Sequence, residues 1–191
     1  MSFHPRVAPP LVGLRASSIR LILAMIAVLI AVTAAQIGLP GLLGQSAAFV
    51  DFHVFHLAGK LALSGNLAQA YHSADFAPLQ QTQPGFSAFM PYTYPPQFNL
   101  IAAVLALLPQ ALAYLMIVGG GFAAWLLILN RLGIAQAGGA ALMVLPAAVV
   151  CVRYGQNGFL SAALIGGFCL WSLRGRALAG PPLRSAARWS I

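Results

Sequence analysis

With 191 residues, 60% of them hydrophobic and only 6% charged, the chain has too few polar side chains to cover a soluble particle; soluble globular proteins carry about 25% charged residues. Its formal charge of +8 comes from nine arginines and Lys60 against Asp51 and Asp75. The arginines stand singly at the ends of apolar runs, as orientation signals do in membrane proteins, so no nucleic-acid partner is expected. The expected class is an all-α integral membrane protein, because lipid forces backbone polar groups to pair within each segment.

Residues 1–18 read as a basic cytoplasmic leader, and residues 19–176 as the membrane domain. The first span is expected over 20–39, close to the roughly 20 apolar residues a crossing needs. Its flanking arginines put the N-terminus in the cytoplasm. Thr33-Ala34-Ala35 resembles a signal-peptide cleavage site, the competing reading of this segment. Pro40-Gly41 and Gly44 break the helix and open an outer loop over 40–96. Within it Val50, Val54, Leu57, Ala58 and Leu61 recur at helical spacing. Asp51, His53 and Lys60 fall mostly off that stripe. The pattern predicts an amphipathic helix over 48–64, lying in the outer interface. The rest of the loop is mixed, with short helical pieces. A short juxtamembrane helix follows over 97–108, and spans over 110–130, 138–152 and 157–173. Every arginine except Arg153 then falls on the cytoplasmic side. Residues 177–191 have no periodicity and read as an irregular basic tail, as a truncated or frameshifted copy leaves. Cys151 and Cys169 show no disulfide or metal spacing.

Asp51 is the first candidate for chemistry. A carboxylate half shielded from water is a stronger base, and it could also help bind a metal. The plainer reading is a helix N-cap, where Asp is favoured. His53 and His56 are three apart, too few for a metal site on their own. Lys60 can contact a lipid phosphate or simply snorkel. Tyr92, Tyr94, Pro95 and Pro96 make a rigid aromatic turn. It is either an interface anchor or one wall of a sugar or lipid pocket. Gln156 and Asn157 can hydrogen-bond hydroxyls or serve only as turn residues. Arg153 can pair with a phosphate.

The order of these pieces resembles a known family. Asp51-Phe-His-Val-Phe-His-Leu-Ala-Gly-Lys-Leu-Ala-Leu-Ser-Gly65, Ala70-Tyr71, Tyr94-Pro95-Pro96 before an apolar helix, and Gly155-Gln156-Asn157 are similar to the N-terminal part of glycosyltransferase family 87. That family lies within the GT-C superfamily. The resemblance covers roughly residues 15–180. It implies a GT-C-like N-terminal helical bundle with an amphipathic first outer loop. It also implies hexosyl transfer, typically of mannose, from a polyprenyl-phosphate-linked sugar to a lipid or glycan acceptor on the outer face. On the resemblance, Asp51 matches the catalytic base in the first outer loop, and Lys60 and Arg153 are the cations for the leaving phosphate. No metal and no cofactor are expected. Such enzymes usually run to about twice this length, so the short chain also admits a non-catalytic membrane scaffold or lipid-binding subunit. A small transporter fits less well, because the spans carry no ionisable residues inside them.

Overall fold

The computed structural model describes residues 16–39, 50–83, 89–132 and 137–173, and the regular structure among them is entirely helical. Most of the basic leader, the breaks at Pro40-Gly41 and Gly44, and the tail over 177–191 lie outside the described residues. Helix α1 spans Ala16–Gly38. Helix α2, Val50–Leu63, carries the Asp51 stretch. Two short helices follow, α3 over Ala68–Tyr71 and α4 over Ser73–Gln81. Helix α5 spans Phe98–Ala106. Helix α6, Gln110–Tyr114, runs through a π-helical turn, Leu115–Gly119, into α7, Gly120–Leu132. Helices α8, Ala137–Tyr154, and α9, Gly158–Leu173, complete the described chain.

Glycine and proline set several of these ends. Helix α2 stops because Gly65 takes φ +77°, a left-handed conformation that glycine adopts without steric cost. The Asn66 N–H then bonds the Leu61 carbonyl at 2.8 Å and the Gly65 N–H bonds Ala62 at 3.2 Å. That pair of bonds is the Schellman closure, which satisfies the last carbonyls of a helix. Helix α5 starts where the Pro95 and Pro96 carbonyls accept the N–H groups of Phe98 and Asn99, at 2.9 and 3.1 Å. Pro109 sits at the cap of α6, outside the helical region, where its missing N–H costs nothing.

The packing is pairwise: α2 on α5, α7 on α9, and α1 on α8 and on the α6–π segment. The α2–α5 contact is close because Gly59 has no side chain. A Cβ there would overlap the Ala102 carbonyl oxygen. The α7–α9 contact stacks Phe122 edge-on against Phe159, ring centroids 5.1 Å apart. Phe52, Phe55, Phe76, Tyr114, Val118 and Val152 are fully buried at the centre. Burial of α2 departs from the one-sided stripe that the sequence predicts. Every residue from Asp51 to Gly59 is buried, Asp51 and His53 included. The reason is that α5, the α6 end and the α8 end all close on this helix, so its polar side chains are enclosed too.

Two helices, Ser17–Gly38 and Gln110–Arg131, are long and apolar enough to cross a membrane. Val144–Tyr154 and Gly158–Ser172 are apolar but shorter. Large apolar side chains remain on the outside of these helices, among them Leu21, Met25, Val28, Leu127, Leu164, Ile165 and Phe168.

Candidate active site around Asp51

Asp51 lies in the first turn of α2, where the positive end of the helix dipole favours a carboxylate. It is only 8% exposed. The Gln156 side-chain amide donates to its Oδ2 at 2.8 Å. The two residues are 105 positions apart in the chain. What brings them together is the turn between α8 and α9. Gly155 takes φ +66°, and the Gln156 N–H bonds the Cys151 carbonyl at 2.9 Å. This Schellman closure ends α8 and throws the next residue outward. Gly155 also lies directly on α2: a Cβ there would be 2.5 Å from the Phe52 Cβ. The turn is therefore laid on the residue next to Asp51, and Gln156 reaches the carboxylate from it.

Tyr94 forms a second side of the site. Burial, and then the nearby Asp51 charge, push its phenol up to about 12. It therefore stays a neutral hydrogen-bond donor at any physiological pH. Its ring meets Phe55 of α2 edge-on at 4.5 Å and Phe98 at 4.9 Å. Behind it runs a closed set of hydrogen bonds. The Tyr92 hydroxyl donates to Asn99 Oδ1 at 2.7 Å, the Asn99 amide donates to the Tyr71 hydroxyl at 3.0 Å, and that hydroxyl donates to the Tyr94 carbonyl at 3.1 Å. Burial, with Tyr71 and Tyr94 beside it, also raises Tyr92. The segment is held from its other end by Gln80, which is 1% exposed. Gln80 donates its amide to the Met90 carbonyl and accepts the Met90 N–H at 2.9 Å.

The remaining sequence candidates are spread around this centre. Asn157 is half-buried in the same turn, and its carbonyl accepts the Ser161 N–H at 3.0 Å to start α9. Arg153 is exposed on the last turn of α8. Lys60 is exposed near the other end of α2, nine residues and so about 13 Å along the helix from Asp51 at 1.5 Å per residue. It shares a small cleft with His53, His56, Gln83 and Gln110 instead. There His56 Nε2 donates to the Leu108 carbonyl at 3.1 Å. Burial, opposed in part by that bond, lowers the His56 pKa. The structure thus joins Asp51 to Gln156 by a hydrogen bond, sets Tyr94 near enough to feel the Asp51 charge, and leaves Lys60 apart.

Two contributors are absent from the sequence reading. Asn99 interrupts an apolar helix and ties two tyrosine-bearing segments, through Tyr71 and Tyr92. Tyr114 donates to the Val152 carbonyl at 2.8 Å. The available signal is a lone polar group within an apolar run, since such groups find partners when buried. Among the described residues no group of three or more His, Cys, Asp or Glu side chains could hold a metal ion.

No curated protein and no solved structure matches the chain. One family model does match, over residues 92–186, a stretch that holds Tyr94, Asn99, Tyr114, Arg153, Gln156 and Asn157 and leaves Asp51 and Lys60 outside it. Over those residues the chain is similar to glycosyltransferase family 87.

Proposed function

We propose that the chain is a membrane hexosyltransferase, or the N-terminal part of one, that moves a sugar from a polyprenyl phosphate to an acceptor hydroxyl on the outer face, with Asp51 as the base. The observation that carries this reading is the convergence on one carboxylate. Gln156 from the α8–α9 turn hydrogen-bonds Asp51 of α2 although the two are 105 residues apart, and Tyr94 of the aromatic segment lies near enough to feel that charge. The Gln156 bond fixes the direction in which the carboxylate points, and a general base must be held in reach of the proton it takes.

In the proposed step the acceptor oxygen attacks the anomeric carbon while Asp51 takes its proton. The bond from that carbon to the phosphate oxygen breaks, and the polyprenyl phosphate leaves with the electron pair. Gln156 orients the carboxylate, and Tyr94 provides a neutral wall for the sugar. Arg153, three residues before Gln156, is the nearer cation for the phosphate, with Asn157 available for sugar hydroxyls. Lys60 serves a lipid phosphate at most, given its distance from Asp51. An apolar groove of about 440 Å³, lined by Leu100, Val104, Met116, Ile117 and Leu160 among others, supports a lipid-linked donor. It opens on α5 within a turn of Phe98, which touches Tyr94. The membrane reading is supported by the two helices of crossing length, and the placement of the 40–96 loop outside by the arginines that flank the apolar runs.

The test is transfer of radiolabelled mannose from polyprenyl-phosphate mannose by the full chain in lipid vesicles. Asp51→Asn should lower the rate about 100-fold or more, the usual contribution of a general base. Wild-type transfer by Asp51→Asn would remove Asp51 from the chemistry. A second reading, a non-catalytic subunit, is favoured by the exposed Leu164, Ile165 and Phe168 face of α9. It predicts no transfer by the wild-type chain and a partner that copurifies through that face.

A further inference from the structure

We propose that Tyr114 is a positioning residue for the Asp51–Gln156 pair, fixing the end of α8 from which Gln156 reaches the carboxylate. The role rests on the transferase reading of Asp51 given above. Tyr114 is completely buried. Its hydroxyl donates to the Val152 carbonyl at 2.8 Å. That carbonyl is also the acceptor for the Gly155 N–H, but at 3.4 Å. The turn's own bond to Val152 is thus long, and the phenol supplies the short one. The Thr33 hydroxyl, from α1, hydrogen-bonds the same phenol, so the tyrosine is itself held in place.

The ring faces the other half of the pair. It meets Phe52 edge-on, with centroids 5.6 Å apart at 87°. Phe52 follows Asp51 in the chain and is also the residue on which Gly155 rests. One side chain therefore touches the end of α8 through its hydroxyl and the start of α2 through its ring. Those are the two backbone segments whose separation sets the Gln156–Asp51 distance. A tyrosine that merely needed a partner for its hydroxyl would require only the first of these contacts. Tyr114 touches no reacting atom, and its effect passes through Gln156.

The experiment uses the full chain in lipid vesicles with Tyr114→Phe, Gln156→Ala and the double variant. Tyr114→Phe keeps the ring and the Phe52 contact and removes the hydroxyl, with its bonds to Val152 and Thr33. Amide hydrogen exchange over 151–157 should quicken about tenfold in Tyr114→Phe, the effect of losing one buried hydrogen bond. The acid limb of transfer rate against pH should move upward in Tyr114→Phe as it does in Gln156→Ala, since a hydrogen bond to a carboxylate favours the charged form. The double variant should move it no further than Gln156→Ala alone. Replacing Tyr114 with p-aminophenylalanine, which restores a donor, should return both readouts. That variant also decides the matter if Tyr114→Phe does not fold. Unchanged exchange, or a limb that moves in Gln156→Ala and stays put in Tyr114→Phe, overturns the role of Tyr114 alone. Transfer that survives Asp51→Asn overturns the base, and the positioning role falls with it.

Discussion

Replacing Gly155 with alanine should be one of the costliest single-methyl changes in the described chain, and its size can be worked out from two glycines. Gly155 and Gly65 both end helices with positive φ, +66° and +77°. An L-residue there costs about 1–2 kcal/mol of backbone strain. Gly65 has nothing within 4 Å of an added Cβ, so strain is its whole cost. At Gly155 the added Cβ would stand 2.5 Å from the Phe52 Cβ, well inside the 3.5–4.0 Å of an ordinary carbon contact. Phe52 is 0% exposed and cannot swing away. Overpacking of this kind adds about 1–3 kcal/mol. The two variants should therefore differ by about 1–3 kcal/mol, or roughly 2–12 °C in Tm at 2–4 °C per kcal/mol. Thermal unfolding of both in the same detergent measures the difference directly. Equal shifts would show that the turn does not rest on Phe52, and the placement of Gln156 against Asp51 would lose its structural basis.

Two other changes test separate contacts. His56 has a lowered pKa from burial, so the unfolded chain binds its proton more readily. Stability from this residue is complete above the ordinary histidine value of about 6.5 and falls as pH drops below it. Tm measured between about pH 5 and 7.5 should decline on the acid side, and His56→Gln, which keeps an N–H for Leu108, should flatten that decline. Parallel curves for the two proteins would assign the pH effect to other groups. Gln80→Ala removes both bonds to Met90 and should cost about 1–3 kcal/mol, read as denaturant midpoint, with faster proteolysis after residue 83. Full protease resistance would mean that Tyr92 and its neighbours hold the segment without Gln80.

The all-helical class is legible in composition, and many helix ends are legible in Pro95-Pro96, Pro109, Gly65 and Gly155. Asp51 and Gln156 each stand out as residues, one as a rare carboxylate and the other in a polar turn. Their hydrogen bond is not legible, because it depends on how α2 meets the end of α8, and no local pattern encodes a contact 105 residues away. The burial of α2 is hidden for a similar reason. Its stripe names one apolar face, while the enclosure of His53 and Asp51 comes from neighbours on the other sides. Lys60 looks as near to Asp51 as any cation in the sequence, yet nine helical residues carry it to the far end. Tyr114 and Asn99 are obscured by their surroundings, since hydropathy averages a single hydroxyl or amide into the apolar run around it.

The π-helical turn at Leu115–Gly119 has a consequence for aim. A turn that closes one residue late advances the following side chains by about 100°, one residue's worth of helical rotation. Upstream of it, Tyr114 points at Phe52 and Val152. Downstream, Phe122 and Trp125 point at Phe159. The helix from Gln110 to Leu132 is therefore two rods set at different angles on one axis, one facing the carboxylate and one facing α9. Deleting a single residue within the turn would rejoin them as one uninterrupted rod, and either half could then keep its partner only if the other lost it.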